Sequence, residues 1–162
     1  MEVKACCLYA TTRGVVKPDK DGYYELTVGQ AGVPNAAGLV YSLPVLEAAL
    51  AEPNFQRMEA KKAIYGELAI GPRYGDLNAM FDKMYIRAAN IIMYTVAYNL
   101  NKETGLLTAK IKPVGAQHQK LLTALDQGVG GVKMQLRAVI NSREGNEIKN
   151  LTLVTFDVDV VG

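Results

Sequence analysis

Two hydrophobic rhythms run along the chain, one of period two and one near three and a half, and their order predicts an α+β fold. From Glu2 to Thr12 the residues are apolar and β-prone; Pro18, Asp19, Asp21 and Gly22 then supply turn chemistry, and Tyr23–Val28 alternates again. This pattern predicts an opening β-hairpin. Residues 29–42 are rich in Gly, Ala, Asn and Pro with little periodicity, which predicts a surface loop. Ser42 ahead of Pro44 starts a short helix to about Glu52, Pro53 interrupts it, and Asn54 is expected to cap a second helix over Phe55–Lys61.

Ala63–Ala69 reads as a short strand, and Asp76 is placed to cap a helical turn at Leu77–Lys83. Tyr85–Leu100 is long, apolar and β-rich. A turn at Lys102–Gly105 leads into Leu106–Lys112, where Leu107, Ala109 and Ile111 share one face, so the two segments predict an antiparallel hairpin. Pro113 ends that strand. Leu121, Leu122 and Leu125 then fall at helical spacing within Gly115–Gln127, with Gly128 as the stop. Val132–Asn141, a turn over Ser142–Asn146 and Glu147–Val161 form a closing hairpin.

No βαβ unit repeats in this order. The expectation is a mostly antiparallel β-sheet or barrel with short helices packed outside it. A length of 162 residues with 49% hydrophobic content suits one core, so residues 1–162 are read as a single domain.

Charge narrows the partners. Eighteen Lys and Arg against 16 Asp and Glu leave a net charge of +2 spread along the chain, which gives nucleic acid no basic surface. No apolar stretch reaches the roughly 20 residues that cross a bilayer, and the Met1–Lys4 start lacks a signal core, so a soluble, cytoplasmically made protein with no membrane contact is expected. Cys6 and Cys7 are adjacent in an apolar run; strand neighbours point to opposite faces, which predicts reduced, buried thiols.

The titratable residues exclude more chemistry than they suggest. His118 is the one histidine, and it opens an amphipathic helix among Gln117, Gln119 and Lys120, the setting of a solvated residue. The two serines, Ser42 and Ser142, have capping and turn duties. The acids are scattered; Asp157 and Asp159 share one face of the last strand and read as the exposed side of an edge strand, so no metal is expected. Gly128, Gly130 and Gly131 follow a helix and precede a strand, the reverse of a phosphate loop, and no cofactor is expected. Tyr85, Tyr94 and Tyr98 accompany the long central strand, as core or interface residues would.

Several segments in order resemble the prohead maturation proteases of tailed phages, a family related in fold to herpesvirus assemblin. The resemblance runs from about Asn35 to Val161. It comprises NAAGLVYSLPVLEAAL at Asn35–Leu50, YGEL at Tyr65–Leu68, the hairpin Ile91–Lys112 and the Pro113–Gly128 stretch before the next strand. In the family the YGEL-like segment commonly leads into a His-Pro pair that carries the catalytic histidine; here Ala69, Ile70, Gly71 and Pro72 follow, with Ile70 at the histidine's place. The family's nucleophile strand has a serine shortly before an arginine. In Val132–Ala138, Gln135 stands at the likeliest serine position and Arg137 at the arginine, whose role as a plain strand residue is equally open.

A carboxamide at 135 is no nucleophile and an aliphatic group at 70 accepts no proton. The resemblance therefore implies a prohead-protease-like scaffold with no catalytic residues and no enzyme activity. The expected role is a virion structural protein, a decoration, cement or other capsid-associated subunit of the phage head, made in the host cytoplasm. Its expected partners are the major capsid protein or other head proteins, with several copies or a homo-oligomer. Strand Glu147–Val161 is expected to offer a sheet edge to a neighbour and loop 29–42 to order against one. The alternatives are a diverged active protease using Cys6 or Cys7 with His118, and an inactive assembly partner of an active protease.

Overall fold

The computed structural model describes residues 2–6, 11–35, 38–68 and 86–161. Its spine is one long hairpin of β8 (Gly131–Glu144) and β9 (Glu147–Val161). Gly145, at φ 56°, and Asn146 make the two-residue turn between them, a backbone sign that glycine adopts without a Cβ clash. On the far side of β8, β1 (Glu2–Cys6) pairs antiparallel from Glu2 opposite Ile140 to Cys6 opposite Leu136, and β2 (Thr12–Arg13) pairs with the start of β8. β4 (Val40–Tyr41) runs parallel to Glu147–Ile148 of β9. A second, antiparallel sheet has the order β3 (Tyr24–Gln30), β7 (Leu106–Pro113), β6 (Ile91–Leu100), β5 (Tyr65–Glu67).

The helices lie where apolar residues recur at helical spacing. In α1 (Leu43–Leu50) the Ser42 side chain accepts from Val45 N–H at 3.4 Å, and Leu46, Ala49 and Leu50 are buried. α2 (Pro53–Ala60) buries Phe55 alone. α3 (His118–Gln127) buries Leu121, Ala124 and Leu125 and stops at Gly128, whose φ of 66° is the left-handed helix end that glycine favours. This is the expected α+β architecture, a mostly antiparallel sheet system with short helices outside it.

Several local expectations are corrected. The opening strands do not pair with each other: β1 joins β8 and β3 joins β7, in different sheets. Alternation marks a strand without naming its partner. Pro53 begins α2 rather than interrupting, and the N-cap is Glu52, not Asn54, because proline's missing N–H is no loss in a first turn. β9 is not a free outer edge: β8 pairs along its whole length, while β4 and a parallel bridge from Leu68 to Val158 contact its other side. Loop 29–42 ends in β4, and Asn35 orders it internally, its Oδ1 accepting from Leu39 N–H at 3.0 Å. The long strand expected from Tyr85 begins at Ile91, after a 3-10 turn at Ala88–Asn90, and the helical turn expected at Leu77–Lys83 lies outside the described residues.

The core fills the space between the sheets. Val132, Met134 and Leu136 of β8 share one buried core with Leu107, Ala109 and Ile111 of β7, the same three β7 positions that alternation selects. Phe55, Tyr98 and Phe156 form an aromatic cluster with centroids 5.6 to 6.2 Å apart in tilted and edge-on geometry. The Tyr98 hydroxyl donates to Glu59 Oε2 at 2.9 Å and accepts from Gln56 Nε2 at 2.9 Å; the Tyr24 hydroxyl donates to Asp126, tying β3 to α3.

Burial, together with the neighbouring carboxylate, pushes the pKa of both phenols up to about 12. Their folded values lie above the unfolded ones, so both groups leave stability unchanged below the ordinary tyrosine range and subtract from it as pH climbs from there towards about 12. An ultraviolet absorbance titration is expected to show late phenols at Tyr24 and Tyr98, and Tyr98→Phe to remove one. Nine phenols titrating together near the ordinary value contradict this.

Candidate functional site

The two sheets meet at a seam between β5 and β9, and side chains close it in place of a regular ladder. Thr155 Oγ1 donates to the Tyr65 carbonyl at 2.6 Å, and Asp157 Oδ1 accepts from the Glu67 N–H at 2.9 Å. Tyr65 and Glu67 are two residues apart, so these are the backbone groups β5 turns to one side. Between them Gly66 presses against β9: a Cβ there would lie 2.3 Å from the Phe156 carbonyl oxygen.

Arg137 crosses this seam. Its Nε donates to Asp157 Oδ2 at 2.8 Å and its Nη2 to Asp157 Oδ1 at 2.8 Å, the fork that a planar guanidinium offers a carboxylate. Nη2 also donates to Glu67 Oε2 at 2.8 Å. All three side chains are less than a tenth exposed, at 7%, 5% and 6%. Burial alone would lower the guanidinium's pKa; the two carboxylates outweigh it and hold Arg137 above its ordinary value. The seam is thus fastened by ions from three strands that lie far apart in sequence.

Gln135 stands opposite Asp157 in the β8–β9 ladder and two residues before Arg137, so it shares their face. It is 8% exposed. Glu67 Oε1 is buried without a partner among the described residues. Ile70, the other position named by the resemblance, lies outside the described residues.

The remaining candidates are dispersed. His118 is the first residue of α3, with Nδ1 2.8 Å from the Gly115 carbonyl oxygen. Ser42 caps α1, and Ser142 is exposed near the hairpin turn. Cys6 has its backbone opposite Leu136 in β1, and Cys7 lies outside the described residues. Gly128 and Gly130 are in left-handed backbone between α3 and β8, the helix-to-strand order read from the sequence. No group of three His, Cys, Asp or Glu that could hold a metal occurs among the described residues.

One site expectation is overturned. Asp157 does not line an exposed edge: it is 4% exposed and ion-paired, because the middle of β9 is covered on both faces, while Asp159 alone remains partly exposed opposite Lys133. Sequence reasoning also missed Glu67. Its place inside the YGEL segment was visible, but its partner is 70 residues away.

An apolar cleft opens beside the end of β9, lined by Leu68, Ala124, Val129 and Val160 with Lys120 of α3 on its wall. Val129, 59% exposed, carries that apolar surface outward.

Comparison with known proteins agrees with this architecture. No curated protein sequence matches the chain. The solved structure of the capsid assembly protease gp21 of bacteriophage T4 superposes with a TM-score of 0.63 at 16% identity, covering 98% of this chain and 96% of that one, which shows a shared fold. The profile of the Peptidase S80 family matches residues 5–161. The resemblance to prohead proteases read from the scattered segments is therefore borne out, and the chain belongs to the Peptidase S80 family.

Proposed function

We propose that the chain is a non-catalytic, capsid-associated subunit of a phage head, built on the prohead-protease scaffold. The observation that carries this reading is the side chain at 135. A carboxamide stands in the strand where the resemblance puts the attacking oxygen, and the residues beside it are tied into an ion cluster, not arranged as nucleophile and base. His118 supports the same reading, since its Nδ1 is engaged with the carbonyl of Gly115 at the start of its own helix. The T4 relative is by its description a capsid assembly protease, which makes coat or other head proteins the natural partners. The apolar cleft and the exposed Val129 give such a partner surface to cover.

Membership in a peptidase family favours a second reading, a diverged protease. Incubation with the coat and scaffold proteins of the same phage separates the two. The proposed role predicts no site-specific cleavage, and stoichiometric recovery of the chain from purified heads by mass spectrometry. Cleavage that disappears in a His118→Ala variant would establish the protease instead. Absence from mature heads, with no cleavage, would point to an assembly partner that leaves.

A further inference from the structure

Asp21 is the one aspartate or asparagine in the chain that glycine follows. Such a pair is the most open to an internal reaction, because a glycine has no side chain to hinder the approach of its backbone nitrogen to the neighbouring carboxyl. Both residues are exposed, and nothing lies within 4 Å of the point where a Gly22 Cβ would stand. The turn that carries them is nevertheless closed by one residue. Gly22 N–H donates to the Asp19 carbonyl at 3.0 Å, and Asp21 N–H and Tyr23 N–H both donate to Asp19 Oδ1 at 2.9 Å. Asp19 N–H in turn donates to the Tyr23 carbonyl at 2.9 Å, which completes a clasp. The Tyr23 N–H above all holds the Asp19 carboxyl below its ordinary range, so the clasp persists into mildly acidic solution.

We infer that Asp21–Gly22 is a succinimide and isoaspartate site whose reaction the Asp19 clasp restrains. The Gly22 nitrogen attacks Cγ of the protonated Asp21 carboxyl. An N–Cγ bond forms, the carboxyl C–OH bond breaks, and the hydroxyl leaves with the amide proton as water. Water then opens the five-membered ring: cleavage of the N–Cγ bond restores aspartate, and cleavage at the Asp21 carbonyl carbon leaves isoaspartate. No oxidant, reductant or cofactor enters. The clasp restrains the first step because the attacking nitrogen is held on Asp19 and must leave it first. Isoaspartate routes the main chain through Cβ, one carbon longer, so Asp19 and Tyr23 no longer close the turn and β3 loses the anchor just ahead of Tyr24. None of this depends on whether the chain hydrolyses peptides.

Incubation of the whole folded chain in mildly acidic buffer tests it, with isoaspartate counted by methyl transfer from an isoaspartyl carboxyl methyltransferase and located by peptide mapping. The parent protein should gain isoaspartate at Asp21 slowly. Asp19→Ala, which removes two ordinary hydrogen bonds from the turn, should gain it about tenfold faster. Asp19→Asn keeps an accepting oxygen and should stay near the parent rate. Asp21→Glu should give none at that position, because its ring would need a sixth member and closes far more slowly. If Asp19→Ala does not fold, the parent in urea supplies the open turn and should react at least about tenfold faster than the folded parent. No isoaspartate at Asp21 even in urea would mean that the pair is inert. Equal rates in the folded parent, Asp19→Ala and urea would mean that the turn restrains nothing. An Asp19→Asn rate as high as that of Asp19→Ala would assign the restraint to charge instead of to the accepting oxygen. Each of these overturns the inference.

Discussion

Replacing Arg137 by methionine is expected to destabilise the protein by about 3–5 kcal/mol, the usual consequence of removing one partner from a buried ion cluster. The side chain is 7% exposed, and its loss leaves Asp157 and Glu67, both about as deeply buried, without the cation that each contacts at 2.8 Å. The uncompensated carboxylates, rather than the missing hydrogen bonds alone, set the size of the effect. Arg137→Lys should lie between, because a lysine supplies the charge without the two-pronged contact to Asp157. Adding Asp157→Asn and Glu67→Gln to Arg137→Met removes both stranded charges and should recover part of the loss. Urea unfolding measures all four proteins. At this chain length the methionine variant should also melt about 6–20 °C lower. A loss under about 1 kcal/mol, the range of an exposed ion pair, would show that the cluster is not a fastening of the seam.

Most of the fold was legible because its signals are local. Leu107, Ala109 and Ile111 alternate, and they are buried in β7; Leu121 and Leu125 recur at helical spacing, and they are buried in α3. Ser42 and Gly128 end their helices as cap chemistry predicts. Apart from the start of α2, the misread features are those in which residues distant in sequence decide the outcome. β1 and β3 look like one hairpin, yet β8 and β7, at least 76 residues further on, supply better partners.

The site was legible only by half. The resemblance brought out Gln135 and Arg137 but left Arg137's role open, because one sequence does not reveal what lies across a strand. Hairpin symmetry about Gly145 brings Arg137 near residue 154; a register shift between Arg137 and Ala138 moves its partner to Thr155 and sets Asp157 opposite Gln135. Bulges of that kind have no strong sequence signal. Glu67 arrives from the other sheet, so neither strand pattern nor charge spacing connects it with Arg137. An acid that alternation puts on a polar face, as it does Asp157, reads as exposed unless the covering strand is known.

The second large effect is expected at Gly66, where alanine should destabilise the protein by about 3 kcal/mol through overpacking. The cause is space, not backbone conformation, since Gly66 is absent from the residues with positive φ. An added Cβ would lie 2.3 Å from the Phe156 carbonyl oxygen and 2.5 Å from Met93 Cε. The methionine is unbranched and its far end can swing away, but the carbonyl belongs to the backbone of β9, held by the full ladder with β8. Relief therefore requires β5 to move off β9, which stretches the Thr155 to Tyr65 and Glu67 to Asp157 contacts on either side. Gly22→Ala is the contrast: its φ of 83° strains a side chain, yet nothing lies within 4 Å, so about 1 kcal/mol is expected there. If Gly66→Ala unfolds in urea at the same midpoint as the parent protein, β5 does not rest directly on the edge of β9. The ion cluster would then be spanning a looser seam, and the expected loss at Arg137 would fall with it.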